Sequence, residues 1–240
     1  MKIDATNMHF KELNNCIRTA SDNQIIVDNC LGQRYIGSGL NNKEIVINGT
    51  PGNALGAHLD GCNITVNGNA QDATGDTMND GTIIVHGSTG DTTGYAMRGG
   101  KIYVKGSTGY RAGIHMKAYK EKVPVLVIGE SSGSFLGEYQ AGGIIIVLGL
   151  HSNRKNLVGY FCGTGMHGGK IYLRCDELPW DLPRQVAAEK GTEEEMAKVR
   201  PYLEEFCRIF EEDTEYVCGH NFYVLAPNTK NPYKQMYTPN

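Results

Sequence analysis

The chain has 240 residues, enough for one sizeable hydrophobic core with appendages. Its 23 Lys+Arg and 26 Asp+Glu give a formal net charge of −3 spread along the chain, which excludes a basic nucleic-acid-binding block and a solvating acidic tail. Glycine is the outlier at 31 residues, clustered mostly between residues 32 and 169, and that clustering asks for a local structural cause.

The opening MKIDATNMHFKEL lacks the apolar stretch of a secretion signal. No apolar run approaches the ~20 residues of a membrane span. Seven scattered cysteines (Cys16, Cys30, Cys62, Cys162, Cys175, Cys207 and Cys218) contain no CxxC pair and no zinc-ligand spacing, as expected of reduced thiols in a cytoplasmic protein.

Residues 9–20 (HFKELNNCIRTA) place Phe10, Leu13 and Ile17 on one helical face and predict a short helix that caps one end of the fold. Residues 21–42 hold a strand, NQIIVDN, and then the Gly-rich LGQRYIGSGL, read as an irregular first coil. From residue 43 a repeat takes over. IVING, ITVNG, IIVHG and IYVKG end at Gly49, Gly68, Gly87 and Gly106, each 19 residues after the last. A second glycine follows each at Gly56, Gly75, Gly94 and Gly113, and then a large apolar residue at Leu59, Met78, Met97 and Met116. The pattern continues more loosely through VLVIG (Gly129), IIIVLG (Gly149) and GTGMHGGKIYLR, with insertions around Tyr119–Val123 and His151–Asn156.

In each strand the pair Ile45/Ile47, Ile64/Val66, Ile83/Val85 or Ile102/Val104 falls on one face, and Asn48, Asn67, His86 and Lys105 are expected to face solvent. A strand that short cannot bury its face alone, so successive coils must stack at ~4.8 Å. Seven such coils predict an all-β solenoid about 30 Å long over 43–174, with 1–42 as its cap and 175–240 as an appendage packed on it. In that appendage Thr192–Glu195 is a capping box, and Met196, Val199, Leu203, Phe206 and Phe210 make an apolar helical stripe. Pro201 inside it predicts a kink or two abutting helices, and the tail from Ala226 reads as extended.

Little in the chain points to chemistry. Gly37-Ser38-Gly39 and Gly163-Thr164-Gly165 lack the βαβ context of a dinucleotide site, and there is no P-loop. His58 and His115 share a column but lie three coils, roughly 14 Å, apart, too far for one metal. The Met78/Met97/Met116 column reads as core and Ser88-Thr89-Gly90 and Ser107-Thr108-Gly109 as turns, so no catalytic, cofactor or metal residue is assigned. The residues singled out are the structural glycines: Gly49, Gly56, Gly68, Gly75, Gly87, Gly94, Gly106, Gly113, Gly129 and Gly149.

The segment GAHLDGCNITVNGNAQDATGDTMNDGTIIVHGSTGDTTGYAMRGGKIYVKG, with YRAGIHMKAY and GGIIIVLG, resembles the Gly-rich GXGXG domain at the C-terminus of the glutamate synthase large subunit. A more distant likeness is to the β-helical subunit of formylmethanofuran dehydrogenase. The resemblance implies a single-stranded right-handed parallel β-helix without catalytic residues. It implies a stand-alone scaffold that positions a glutamine amidotransferase and a synthase carrying FMN and an iron–sulfur cluster, the cofactors belonging to those partners and not to this chain. Two alternatives stand beside it: a β-helix subunit of another oxidoreductase, and a β-helix enzyme acting alone, against which the lack of clustered carboxylates on one face argues.

Overall fold

A computed structural model describes residues 1–151 and 156–228. The described chain is mostly β, and eleven strands form one sheet. Strand β1 (Lys2–Asp4) leads through helix α1 (Phe10–Thr19) to β2 (Gln24–Leu31). There follow β3 (Glu44–Thr50), β4 (Asp60–Asn67), β5 (Asp80–Val85), β6 (Lys101–Val104), β7 (Val125–Ile128), β8 (Ala141–Val147) and β9 (Gly168–Arg174). Each of these pairs in parallel with the strand before it. The chain ends in β10 (Val186–Lys190), α2 (Glu193–Phe210), α3 (Thr214–Cys218) and β11 (Phe222–Pro227). β11 runs antiparallel between β9 and β10.

The register aligns chemically equal residues. Ile45 lies beside Ile64, Ile64 beside Ile83 and Ile83 beside Ile102, and the column continues through Leu126, Ile145 and Ile171. These residues and the Ile47/Val66/Val85/Val104 column are essentially without exposure. A one-residue slip would turn both columns outward, so burial enforces the register.

Between strands the backbone makes a turn whose φ sign alternates. In the turn after β3, Ala54, Gly56 and His58 have φ of +62°, +64° and +56°. The same three places recur in the next repeats, as Ala73/Gly75/Thr77 and Thr92/Gly94/Ala96. The alternation points successive N–H groups to opposite neighbours. Ala54 N donates to Asp72 O, Gly56 N donates back to Ile36 O, and His58 N donates to Asp76 O. The turns are thus hydrogen-bonded row to row, as the strands are.

The main core fills the space between the sheet's inner columns and the inward residues of these turns, among them Leu55, Leu59, Met78, Met97 and Met116. Leu13 and Ile17 of α1 join it together with Ile3, so α1 closes the β1–β2 end. A second core lies on the opposite face of the sheet, where Val199, Leu203, Phe206 and Phe210 of α2 pack on Tyr103, Val127, Ile146 and Tyr172.

Two features differ from the sequence reading. First, α2 is one helix through Pro201 and not two, because Pro201 and Ala197 both face solvent and water can satisfy the carbonyl that proline leaves free. Second, the appendage joins the sheet. Ala226 and Pro227, read as the start of a tail, pair with Ala187 and Val186, and Pro227 sits at a strand end where its missing N–H costs little. His86 is exposed, as its place just outside the strand face implied, and its ring also meets Phe210 of α2 edge-on at 5.3 Å.

Candidate interaction surface

The repeat glycines occupy two kinds of place. Gly56, Gly75, Gly94 and Gly113 are the middle of the alternating turns, at φ between +64° and +73°. Gly87, Gly106 and Gly129 lie in crossings so close that an added Cβ would strike Asn69 Oδ1, Ser88 Oγ and Lys105 O of the neighbouring repeat. Gly49 and Gly68 combine positive φ with such a crossing, and Gly149 (φ +62°) turns the chain before the second insertion.

Among the described residues no three His, Cys, Asp or Glu side chains are placed to hold a metal ion. All seven cysteines are free thiols. Burial pushes Cys30 and Cys62 up to about 11 and Cys162 up to about 12, so none of these three is a thiolate near neutral pH. His58 and His115 sit on the outside of the turns, and Met78, Met97 and Met116 are fully buried. The next place in the methionine column is taken by Gln140, also fully buried, whose Nε2 donates to Gly142 O and Gly143 O. Ser88 and Ser107 stack on each other, the Ser88 hydroxyl accepting from Ser107 N at 3.0 Å.

α2 is fastened by two similar clamps. Glu205 accepts from Lys101 Nζ and Tyr103 Oη, both at 2.6 Å. Glu195 accepts from Lys170 Nζ at 2.6 Å and Tyr172 Oη at 3.1 Å. The hydrogen bond from Lys170, then that from Lys198, holds the Glu195 carboxyl down at about 2. Burial and the neighbouring carboxylate raise both tyrosine hydroxyls. The Lys-Ile-Tyr triplets at 101–103 and 170–172 announce these clamps in the sequence, where spacing alone marks them only as a repeat signature.

The first insertion folds back on the repeats: Tyr119 and Lys122 exchange backbone hydrogen bonds, and Lys122 Nζ reaches Asp80 at 2.8 Å and Asp60 at 3.6 Å. Tyr119 and Val123 remain exposed. Of His151–Asn156, residues 152–155 lie outside the described residues, while His151 meets Glu212 at 3.2 Å. The tail beyond Asn228 also lies outside them.

A row of aromatic rings lies on the turns of the later repeats. His115 stacks on Tyr139 at 5.3 Å and meets Tyr95 edge-on at 6.0 Å. Beside them Tyr110 meets Phe135 at 5.3 Å, and Phe135 meets Phe161 at 5.0 Å. Tyr160 then meets Trp180 at 6.1 Å over the wall of a groove of about 450 Å³. The Arg111 guanidinium carbon lies 4.8 Å from the Tyr110 ring and 5.4 Å from the Phe135 ring. Its Nε is 2.7 Å from Oε2 of the buried Glu138, an ion pair by distance whose N–H points off that line.

A repetitive, mostly parallel sheet with a helix fastened across its outer face and exposed rings on its turns defines a β-repeat protein. The chain belongs to the GXGXG motif family, whose model matches residues 4–227. It is 46% identical over 250 residues to MJ1350, an uncharacterized protein of Methanocaldococcus jannaschii, covering 99% of this chain and 96% of that one. Its fold is similar to a chain of the formyltransferase/hydrolase complex from Methylorubrum extorquens, solved in complex with methylofuran. That match has a TM-score of 0.63 at 16% identity and covers 92% of this chain and 89% of the other. No helix among the described residues is long and apolar enough to cross a membrane.

Proposed function

We propose that this chain is a non-catalytic structural subunit of a glutamate-synthase-like complex in the cytoplasm. In this reading its strands and turns close into a right-handed β-helix. Residues 1–42 are the cap, 43–174 the repeats and 175–240 the fastening helix and tail. Glutamine and 2-oxoglutarate become glutamate on partner subunits, a glutamine amidotransferase and a synthase carrying FMN and an iron–sulfur cluster, which this subunit holds in place. The observation that carries the reading is the family match along nearly the whole chain, in a molecule whose repeat residues serve stacking. Partner contacts through Tyr119–Val123, His151–Asn156 and Pro227–Asn240 belong to the same proposal.

The test is isolation of the tagged chain with its partners from its own cells. The complex should contain FMN and iron and convert glutamine plus 2-oxoglutarate to glutamate, while the chain alone is colourless and inert. Bound flavin or glutamine hydrolysis on the isolated chain overturns the reading. A second reading, a subunit of a formylmethanofuran-dehydrogenase-type oxidoreductase, draws on the fold likeness to the formyltransferase/hydrolase complex. Molybdopterin-type partners in place of the amidotransferase would favour it.

A further inference from the structure

We infer that Arg111 is the anchor of a protein-binding face, receiving a carboxylate from an otherwise apolar partner segment. The inference rests on the scaffold reading only in that a partner subunit exists. Three observations lead to it.

The first is the composition of the face. From Tyr95 to Tyr160 the exposed rings cross three repeat steps, about 14 Å at the strand spacing. Tyr160 is 56% and Trp180 78% exposed. Contiguous exposed aromatic surface is unusual on a free-standing protein, and tyrosine, tryptophan and arginine dominate the energetic centres of interfaces.

The second is the state of Arg111. Its guanidinium carbon lies against the Tyr110 and Phe135 rings, and its Nε is within ion-pair distance of Glu138. Among the described residues no hydrogen bond reaches either Nη, and the side chain is 40% exposed. The fork is therefore oriented, flanked by apolar rings and unused. A fixed guanidinium fork matches a carboxylate with two parallel hydrogen bonds, and the surrounding rings would exclude water from that pair on docking.

The third is the charge around it. Among the described residues Arg111 is the one cation seated over rings of the row, and Glu138 already offsets part of its charge. A phosphate group calls for several converging donors, whereas a single carboxylate fits one fork. The length of the row also exceeds a small anion and suits a polypeptide.

The probe is the stoichiometric partner subunit that co-isolates with the tagged full-length chain. Arginine modification by phenylglyoxal, read by mass spectrometry, should label Arg111 in the free chain and at least ~10-fold more slowly in the complex. Arg111→Ala should weaken partner binding by ~30-fold or more, and Arg111→Lys, which keeps the charge without the fork, by ~10-fold. Because Arg111→Ala leaves Glu138 buried without its cation, the double variant Arg111→Ala/Glu138→Gln is measured beside it, with urea midpoints for each. Lys190→Ala, outside the ring row, should bind within twofold of wild type. Folded Arg111 variants that bind within twofold of wild type, or equal labelling in chain and complex, overturn the inference. So does protection of Arg111 in the free chain by ~10 mM inorganic phosphate, which would make it a small-anion site. A partner without flavin sinks the glutamate synthase reading and leaves the Arg111 test standing. Absence of any stoichiometric partner sinks both.

Discussion

Valine meets different obstacles at two equivalent glycines. Gly75 and Gly94 share φ of +73°, a region in which a β-branched residue is strained by about 1–3 kcal/mol. At Gly75 an added Cβ also runs into Ile102 Cδ1, whereas at Gly94 the nearest atom, Leu126 Cδ2, is 3.8 Å away. Gly75→Val should therefore cost about 3 kcal/mol or more and Gly94→Val about 1–2, read as urea midpoints at constant slope. Equal midpoints for the two would show that packing against Ile102 does not contribute. His86→Ala, which from the strand pattern alone should be almost neutral, is expected to cost ~0.5–1 kcal/mol because the ring packs on Phe210. Both glycines were legible as repeat positions, but their difference was not: it depends on which side chain reaches each turn, Ile102 at Gly75 and the more distant Leu126 at Gly94.

At the scale of the element, α2 shows what pattern reading does well. Thr192 is the N-cap and its side chain accepts from Glu195 N, as the capping box implied, and Val199, Leu203, Phe206 and Phe210 are buried. The helix runs back across the strands. Glu195 binds the β9 clamp, Glu205 the β6 clamp, and Phe210 reaches His86 just after β5. The fifteen residue steps from Glu195 to Phe210 rise about 22 Å, close to the ~19 Å covered by four strand spacings. The clamp should be pH-dependent. Glu195 titrates at about 2 in the fold, below its ordinary 4.5, so its contribution is present above pH ~4.5 and fades as pH falls toward 2. The side chain still meets water, so the effect is about 0.5–1 kcal/mol. The urea midpoints of wild type and Glu195→Gln should differ at pH 6 and converge near pH 2. A gap that persists unchanged at pH 2 would mean the charge is not its source.

Across the whole molecule, both faces of the later strands are covered while the earlier strands keep one face open. The residues say so in retrospect. ITVN in β4 alternates, whereas VLVI in β7 is apolar throughout and fully buried, as strands sandwiched between two layers are. The buried thiols offer a check on how tightly this arrangement holds. Cys30, Cys62, Cys162 and Cys207 are buried, with thiol pKa values raised by that burial. In the native chain they should react with a disulfide reagent at pH 8 at least ~100-fold more slowly than in urea. Rapid labelling of Cys162 without denaturant would show that the later repeats open readily.

The division between sequence and tertiary structure follows the range of the forces involved. Spacing alone determined the repeat, its inner columns, the glycine places and the capped helix, because each arises from contacts at a fixed offset along the chain. The direction of α2 across the sheet, the entry of β11 between β9 and β10, and the ring row around Arg111 came only from the tertiary structure. These join residues such as Lys101 and Glu205, 104 positions apart, or bring together rings from successive turns whose sequence distances change with every insertion. No periodic pattern encodes such meetings: they are decided when the apolar faces of helix and sheet find the one arrangement that buries both.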